Sequence, residues 1–278
     1  MSSEKEMSFL DHLEELRWHV VRALFAVLGF TIVSFISAKW VFDKIIFAPT
    51  RTSFPTFQWL CKLGQLVNME EILCVQDIPI KIQSRLMTGQ FTMHLTASLV
   101  MGLIVSFPYV AWEIWRFIKP GLQPTERKYS RGAVFSISFL FFVGVCFGYF
   151  IMSPLAVYFL ANYSISEMVV NEFDITSYVG TITTLVLGSG LLFQLPIVVY
   201  FLSQVGIVTP QILRGFRKHA IVAILVIAAI VTPPDPLSQI LITFPLYSLY
   251  EFSIFISAIV VRRKAREEAR EKLNDQTR

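Results

Sequence analysis

The sequence predicts an all-α polytopic membrane protein with six transmembrane helices, and two observations support this fold class. Of its 278 residues, 54% are hydrophobic and only 16% are charged, whereas about 25% of the residues in a soluble domain carry a charge. Apolar runs close to the roughly 20 residues that a helix needs to cross a bilayer also recur along the chain. They are separated by connections, several of which are rich in lysine and arginine.

The N-terminal segment, residues 4–17, is predicted to be an amphipathic helix that lies at the membrane surface and runs into a first span at 18–38. Its apolar side chains recur near helical spacing: Phe9, Leu10, Leu13 and Leu16. The acidic residues between them do not fit a cleavable signal peptide, so the first apolar segment is expected to stay in the membrane.

Residues 39–90 form the one long connection, which is expected to be an extracytoplasmic cap with short helices such as 57–66. Cys61 and Cys74 both lie in it, on the side of the membrane where oxidation is permitted, which predicts a disulfide. Cys146, in the third span, is then expected to be a free and buried thiol. The alternative is three unrelated buried cysteines. No Cys/His cluster has the spacing of a metal site, and neither a metal nor a cofactor is expected.

The later apolar runs predict five further spans, at 91–115, 132–153, 178–204, 219–232 and 237–261. The third is expected to bend near Pro154. The fifth, which Pro233 and Pro234 end, falls short of the bilayer thickness, and both the fifth and the sixth are expected to be short or deficient at their outer side. Because proline and glycine would bend most of the spans, we expect one membrane domain over 1–278 with an open concave face.

The charges of the connections predict the orientation of the chain. Lysine and arginine gather in the N-terminal lead at 1–17, the 116–131 hairpin, the 214–218 loop and the tail at 262–278, and are missing from the acidic loop at 162–177. By the positive-inside rule, both termini and the basic loops are cytoplasmic.

Three polar residues are expected inside the membrane, where such groups are costly and therefore candidates for function. Glu251 lies about 16 Å along the helix axis before Arg262, which predicts a single deep carboxylate, either functional or a neutral carboxyl packed against a neighbour. Gln194 and Gln239 are expected to offer hydrogen bonds either to a partner helix or between spans of this chain.

Glu126 is a carboxylate in the hairpin between the second and third spans, surrounded by basic residues: Lys119, Arg127, Lys128 and Arg131. One interpretation is that these neighbours simply neutralise it. The other is that it binds a cationic group from outside the chain.

Three motifs, in this order, resemble those of the TatC family, the receptor core of the twin-arginine protein translocase. They are FLDHLEELR at 9–17, FPYVAWEIWRFIKPGLQPTERK at 107–128 and TPPDPLSQ at 232–239. The resemblance covers essentially the whole chain. It implies a glove-shaped receptor without enzymatic activity, multi-pass in the bacterial inner membrane, that binds twin-arginine signal peptides of folded proteins at its cytoplasmic face.

The resemblance also implies sites and partners. It places the signal-peptide contact on Glu15 and Glu126, and the flanking motif residues Leu16, Arg17 and Phe117 are expected beside them. Single-span TatA-type subunits, and possibly TatB-type ones, are expected partners in a higher oligomer that uses the proton-motive force. The partner helix is expected to meet four polar or motif residues: Gln194, Gln239, Pro234 and Asp235. Many members carry glutamate where this chain has Gln194, so a scheme that needs an ionisable group there does not carry over.

The alternative function is a proton-coupled secondary transporter of small molecules, with Glu251 as its proton site. The lack of internal repeats, the single deep carboxylate and the short fifth span argue against it. The sequence has no HExxH, GxSxG or phosphate-loop motif that would indicate an enzyme, and no nucleic-acid partner is expected.

Overall fold

The computed structural model describes residues 9–69, 74–75, 77–119, 132–166, 168, 171–231 and 236–276. Its helices are α1 (Phe9–Ile36), α2 (Ala38–Val41), α3 (Pro55–Val67), α4 (Gly89–Ile118), α5 (Ala133–Phe147), α6 (Ser153–Asn162), α7 (Ile175–Leu192), α8 (Leu195–Val205), α9 (Pro210–Gly215), α10 (Arg217–Val231) and α11 (Pro236–Gln276). Two short strands, β1 (Lys81–Gln83) and β2 (Glu172–Asp174), pair in parallel.

The membrane-spanning segments confirm an all-α polytopic membrane protein. Within the described residues, 5 helical segments are long and apolar enough to cross a membrane: Glu14–Ile36, Gly89–Ile118, Ala133–Asn162, Ile175–Val205 and Gln239–Arg266. The predicted fifth span corresponds to α10, whose 15 residues give a length of only about 22 Å. The prediction that this span is short is therefore confirmed.

The sixth span, which was also expected to be short, belongs to a long helix. α11 has 41 residues and continues through the basic tail to Gln276. Only its first part runs beside α10, because Gln239 donates to the carbonyl of Leu225 at 3.4 Å and Glu251 meets Arg217, the first residue of α10. The paired part, from Pro236 to Glu251, is about 23 Å long, so the shortness lies in the hairpin and not in the helix as a whole.

The chain divides into two compact units, each of which packs mainly within itself. The first unit comprises Met1–Ile45 and Leu86–Phe139, and the second comprises Ile46–Arg85 and Leu140–Arg278. We describe each by itself.

In the first unit, α1 packs antiparallel along α4. Near one end the Phe35 ring stacks on His94 with centroids 3.8 Å apart. Further along, a Cβ at Gly102 would lie 2.3 Å from Thr31 Oγ1, so the two backbones approach closely where α4 has no side chain. From Phe9 onward the predicted amphipathic lead and the first span form one continuous helix.

In the second unit, α5 packs equally closely against α7. A Cβ at Gly144 would lie 2.6 Å from the carbonyl oxygen of Ser189, and one at Gly148 would lie 2.7 Å from that of Leu185. Small residues spaced by four on a helix commonly allow such contact in membranes. The core beside this contact contains Met152, Leu185, Ile224, Ala228, Ile242 and Leu246.

The third span changes its helical geometry where the sequence predicts a bend, while staying helical from Ala133 to Asn162. A π-helical turn at Gly148–Met152 joins α5 to α6, which has Pro154 in its first turn. Pro154 has no N–H to donate to the carbonyl of Phe150, four residues earlier. That carbonyl instead accepts a hydrogen bond from the Thr56 hydroxyl of α3. The cap helix is therefore hydrogen-bonded to this π-helical turn.

The cap contains the predicted short helix, which is α3. Phe54 and Phe57 pack with Ile78 and Ala161 in a small apolar core, and the paired β1 and β2 join the cap to the segment before α7. Cys61 and Cys74 form a disulfide with Cα atoms 4.2 Å apart.

The prediction that Cys146 is buried is wrong, since its thiol is free but exposed on α5. Gly144 of α5 and Gly148, the first residue of the π-helical turn that follows it, both face α7. Cys146 is two residues from each of them and therefore lies on another face of the helix.

Candidate functional site

The sequence-predicted site residues on α1 lie in its first turns. Glu15 and Leu16 are half-buried, whereas Arg17 is exposed. Arg17 Nη2 lies 3.9 Å from Glu14 Oε1, and its guanidinium lies over the Trp18 ring, 5.6 Å from the centroid. The exposed Arg17 side chain thus contacts two residues of its own helix, Glu14 and Trp18.

Glu15 has no ion-pair or hydrogen-bond partner within the residues that the structure describes. It precedes His19 by one helical turn and therefore lies on the same face of α1. His19 in turn contacts α4, with its ring centroid 6.4 Å from that of Phe117. Glu15 is thus a half-buried carboxylate at the end of α4 that carries Phe117.

Glu126, the other predicted carboxylate, lies outside the described residues, in the connection that follows Lys119. α4 ends at Ile118, next to Phe117. The chain therefore leaves α4 toward Glu126 from the same end at which Glu15 lies.

The structure brings together a polar cluster that the sequence interpretation missed. His19 Nδ1 lies 2.5 Å from Glu113 Oε2, and the Tyr109 hydroxyl donates to Glu113 Oε1 at 2.9 Å. The Glu113 side chain is 1% exposed. Glu113 is therefore a second acidic residue within the spans, fully buried in the protein near the end of α4. The sequence did contain one signal for this cluster, a charged residue, Glu113, inside an aromatic span. The motif alone did not distinguish Glu113 from its neighbours.

Glu251 belongs to a second cluster, in the second unit. Its Oε2 accepts from Arg217 Nη2 at 2.7 Å and its Oε1 from the Tyr247 hydroxyl at 3.0 Å. Glu251 thus packs against a basic side chain and a tyrosine of its own unit. Arg217, assigned to a basic loop by the sequence, is the first residue of α10.

Gln194 stands where the fourth span is interrupted. α7 ends at Leu192 and α8 begins at Leu195, with Pro196 in the first turn of α8 preventing a continuous ladder of hydrogen bonds. Gln194 is half-buried there. Gln239 uses its amide within the chain, on the Leu225 carbonyl. Pro234 and Asp235 lie outside the described residues.

Among the residues that the structure describes, no group of three or more His, Cys, Asp or Glu side chains could hold a metal ion. The two polar clusters each contain a single carboxylate and a basic partner from another helix, an arrangement that fixes the contact between the two helices.

Comparisons with known proteins agree on one family. The model of the family "Sec-independent protein translocase protein (TatC)" matches residues 11–245. A Sec-independent protein translocase protein TatC from Blattabacterium sp. is 38% identical over 266 residues, which covers 95% of this chain and 100% of the relative. A protein of the same name from Helicobacter pylori is 34% identical, covering 90% of this chain and 87% of the relative.

Solved structures agree with this match. A crystal structure described as the twin arginine translocase receptor TatC is 30% identical with a TM-score of 0.70, covering 90% of this chain and 99% of that chain. A second one, in DDM, is 31% identical with a TM-score of 0.71, covering 88% of this chain and 99% of that chain.

Proposed function

Because the chain belongs to the TatC family of Sec-independent protein translocase proteins, we propose that it binds twin-arginine signal peptides through Glu15 and Glu126. Membership makes it a membrane-embedded component of a protein translocase and not an enzyme. It also replaces the small-molecule transporter as an interpretation.

The observation that carries the proposal is the state of Glu15. A half-buried carboxylate without a cationic partner in the described residues is available to an arginine from another chain. Guanidinium and carboxylate form paired, charge-assisted hydrogen bonds, and partial burial strengthens them relative to water. Phe117 supplies an apolar wall at the same end of α4. Glu126 would be the second carboxylate for the second arginine, with Leu16 and Arg17 flanking the contact.

Site-specific crosslinking of a twin-arginine signal peptide to membranes that contain the protein tests the proposal. We expect Glu15→Ala and Glu126→Ala each to weaken the crosslink and the double variant to abolish it, with normal insertion. Glu14→Ala is the matched control, because Glu14 is the exposed neighbour that pairs with Arg17, and it should leave the crosslink intact. Undiminished crosslinking in the double variant would refute the assignment.

The orientation and the partners complete the proposal. Lysine and arginine in the lead, the 116–131 hairpin, the 214–218 loop and the tail favour cytoplasmic termini in the bacterial inner membrane. The signal-peptide site would then face the cytoplasm, where folded cargo arrives. TatA-type subunits, and TatB-type ones where present, would join it in a larger oligomer driven by the proton-motive force.

Gln194 is the proposed contact for the partner helix. An interhelical hydrogen bond in a membrane contributes about 0.6–2 kcal/mol, which suits a subunit that must leave after transport. Gln239 and the neighbouring Pro234 and Asp235 are proposed as a further part of this contact, although the Gln239 bond to Leu225 favours an internal role for that amide.

We expect Gln194→Leu to bind signal peptide normally but to crosslink poorly to a TatA-type subunit, while Gln194→Glu retains the crosslink. Lower thermal stability of Gln194→Leu with unchanged partner crosslinking per folded molecule would mean that the amide only joins spans of this chain.

A further inference from the structure

Three contacts fix the register of α1 against α4 in the first unit. The His94 Nε2 atom lies 3.0 Å from the carbonyl oxygen of Phe35, Gly102 receives Thr31, and Glu113 meets His19. As the residue number rises along α1 it falls by nearly the same amount along α4, as two antiparallel helices require. Continuing this register by one turn beyond His19 places Glu15 opposite Phe117.

The contact nearest to Glu15 is the buried pair His19–Glu113. Both oxygens of Glu113 are occupied, Oε2 by His19 and Oε1 by Tyr109, so this carboxylate cannot itself receive a guanidinium. The Glu113–His19 contact nevertheless determines where Glu15 lies along α4, because His19 and Glu15 are one helical turn apart on the same face of α1. A shift of α1 along α4 at His19 would move Glu15 by the same distance.

We propose that His19 and Glu113 are positioning residues for arginine recognition, which hold the Glu15 carboxylate opposite Phe117. This inference rests on the proposed function. A directional, buried hydrogen bond specifies one register of two helices, whereas apolar side chains at the same two positions tolerate several. Paired hydrogen bonds between a guanidinium and a carboxylate form only when the carboxylate has a defined position and orientation. The affinity for the signal peptide therefore depends on that single register.

The test compares a twin-arginine signal peptide with its twin-lysine counterpart on purified protein in detergent. Lysine is a point charge that does not need the bidentate geometry. The decisive variant is the double substitution His19→Leu with Glu113→Leu, because replacing a buried pair by apolar residues leaves no unpaired charge and preserves folding. We expect this variant to bind the twin-arginine peptide about tenfold more weakly and the twin-lysine peptide unchanged.

Two further variants separate positioning from stability. Glu113→Gln keeps an oxygen that can accept from His19, and it should retain the preference for arginine. His94→Leu removes a contact at the opposite end of the same helix pair, and it should lower thermal stability without changing the preference.

The proposal is overturned if the double-leucine variant still prefers the twin-arginine peptide to the twin-lysine peptide. It is also overturned if His94→Leu loses this preference to the same extent as the double-leucine variant. Glu15→Ala, measured alongside, distinguishes the two levels. If Glu15→Ala does not weaken the binding of the twin-arginine peptide, the proposed binding site is wrong, and the positioning role that depends on it is wrong as well.

Discussion

Two carboxylates in the two units have the same local arrangement but different surroundings. Glu113 accepts a hydrogen bond from Tyr109 and Glu251 accepts one from Tyr247, in each case a tyrosine one turn earlier on the same helix. Each also meets a basic side chain of another helix. The Glu113 side chain is 1% exposed and its partner is His19, whereas the Glu251 side chain is 33% exposed and its partner is Arg217.

The difference shows how burial determines the choice of base. A guanidinium keeps its charge at any physiological pH, so burying it fully is expensive. An imidazole can be neutral and still donate to a carboxylate, which makes it suitable for an enclosed contact. The buried pair therefore acts on the packing of α1 against α4. The Arg217–Glu251 pair is less enclosed by the protein, and less of the helix packing depends on it.

The largest expected effect is on the buried pair. His19→Leu leaves the Glu113 carboxylate without its basic partner, and breaking a buried pair in this way costs about 3–5 kcal/mol. Arg217→Leu, the matching change at the less enclosed pair, should cost less. Denaturation of both variants in the same detergent checks the order. Equal losses would show that burial does not distinguish the two pairs.

A smaller effect is expected where the backbone of α4 approaches α1 closely at Gly102. In Gly102→Ala the new methyl group would lie 2.3 Å from Thr31 Oγ1 and 2.7 Å from the Thr31 backbone nitrogen, which forces the helices apart. Such overpacking costs about 1–3 kcal/mol. Gly29→Ala, on the other helix of the pair, α1, has nothing within 4 Å of the added methyl; it is the control and should not lower the melting temperature. A loss as large in Gly29→Ala would locate the effect in the helix itself.

The smallest effect concerns Asp174, whose carboxylate is held by hydrogen bonds from a hydroxyl and backbone amides and not by a basic side chain of the described residues. Asp174 accepts hydrogen bonds from the hydroxyl of Thr176 and from the backbone amides of Thr176 and Arg85, and these bonds, the hydroxyl first, hold its pKa below the usual value. A carboxyl whose folded-state pKa is lowered stabilises the fold above its unfolded pKa, near 3.9, and loses this contribution as the pH falls through the folded value.

Asp174→Ala should therefore lower the melting temperature at neutral pH and weaken the fall in melting temperature between about pH 5 and pH 3. Parallel pH profiles of wild type and variant would contradict this account of the Asp174 pKa.

The sequence by itself determined the class of fold and the family. Long apolar runs, the proline pair at 233–234 and Pro154 act through local physics, since the length of a helix and a missing N–H do not depend on distant residues. The five long spans and the short α10 accordingly match the prediction, and the π-helical turn lies directly before Pro154. The motifs at 9–17 and 107–128 likewise pointed to the family that the comparisons show.

Only the tertiary structure decided which polar groups meet. His19 and Glu113 lie far apart along the chain, as do Arg217 and Glu251, and no periodicity of one segment reveals the register in which two helices pack. That register depends on where the backbones can approach, at Gly102 in the first unit, and on the directional bonds that this approach permits. The exposure of Cys146 follows from the same cause, since the glycine face of α5 packs on α7 and turns the thiol away.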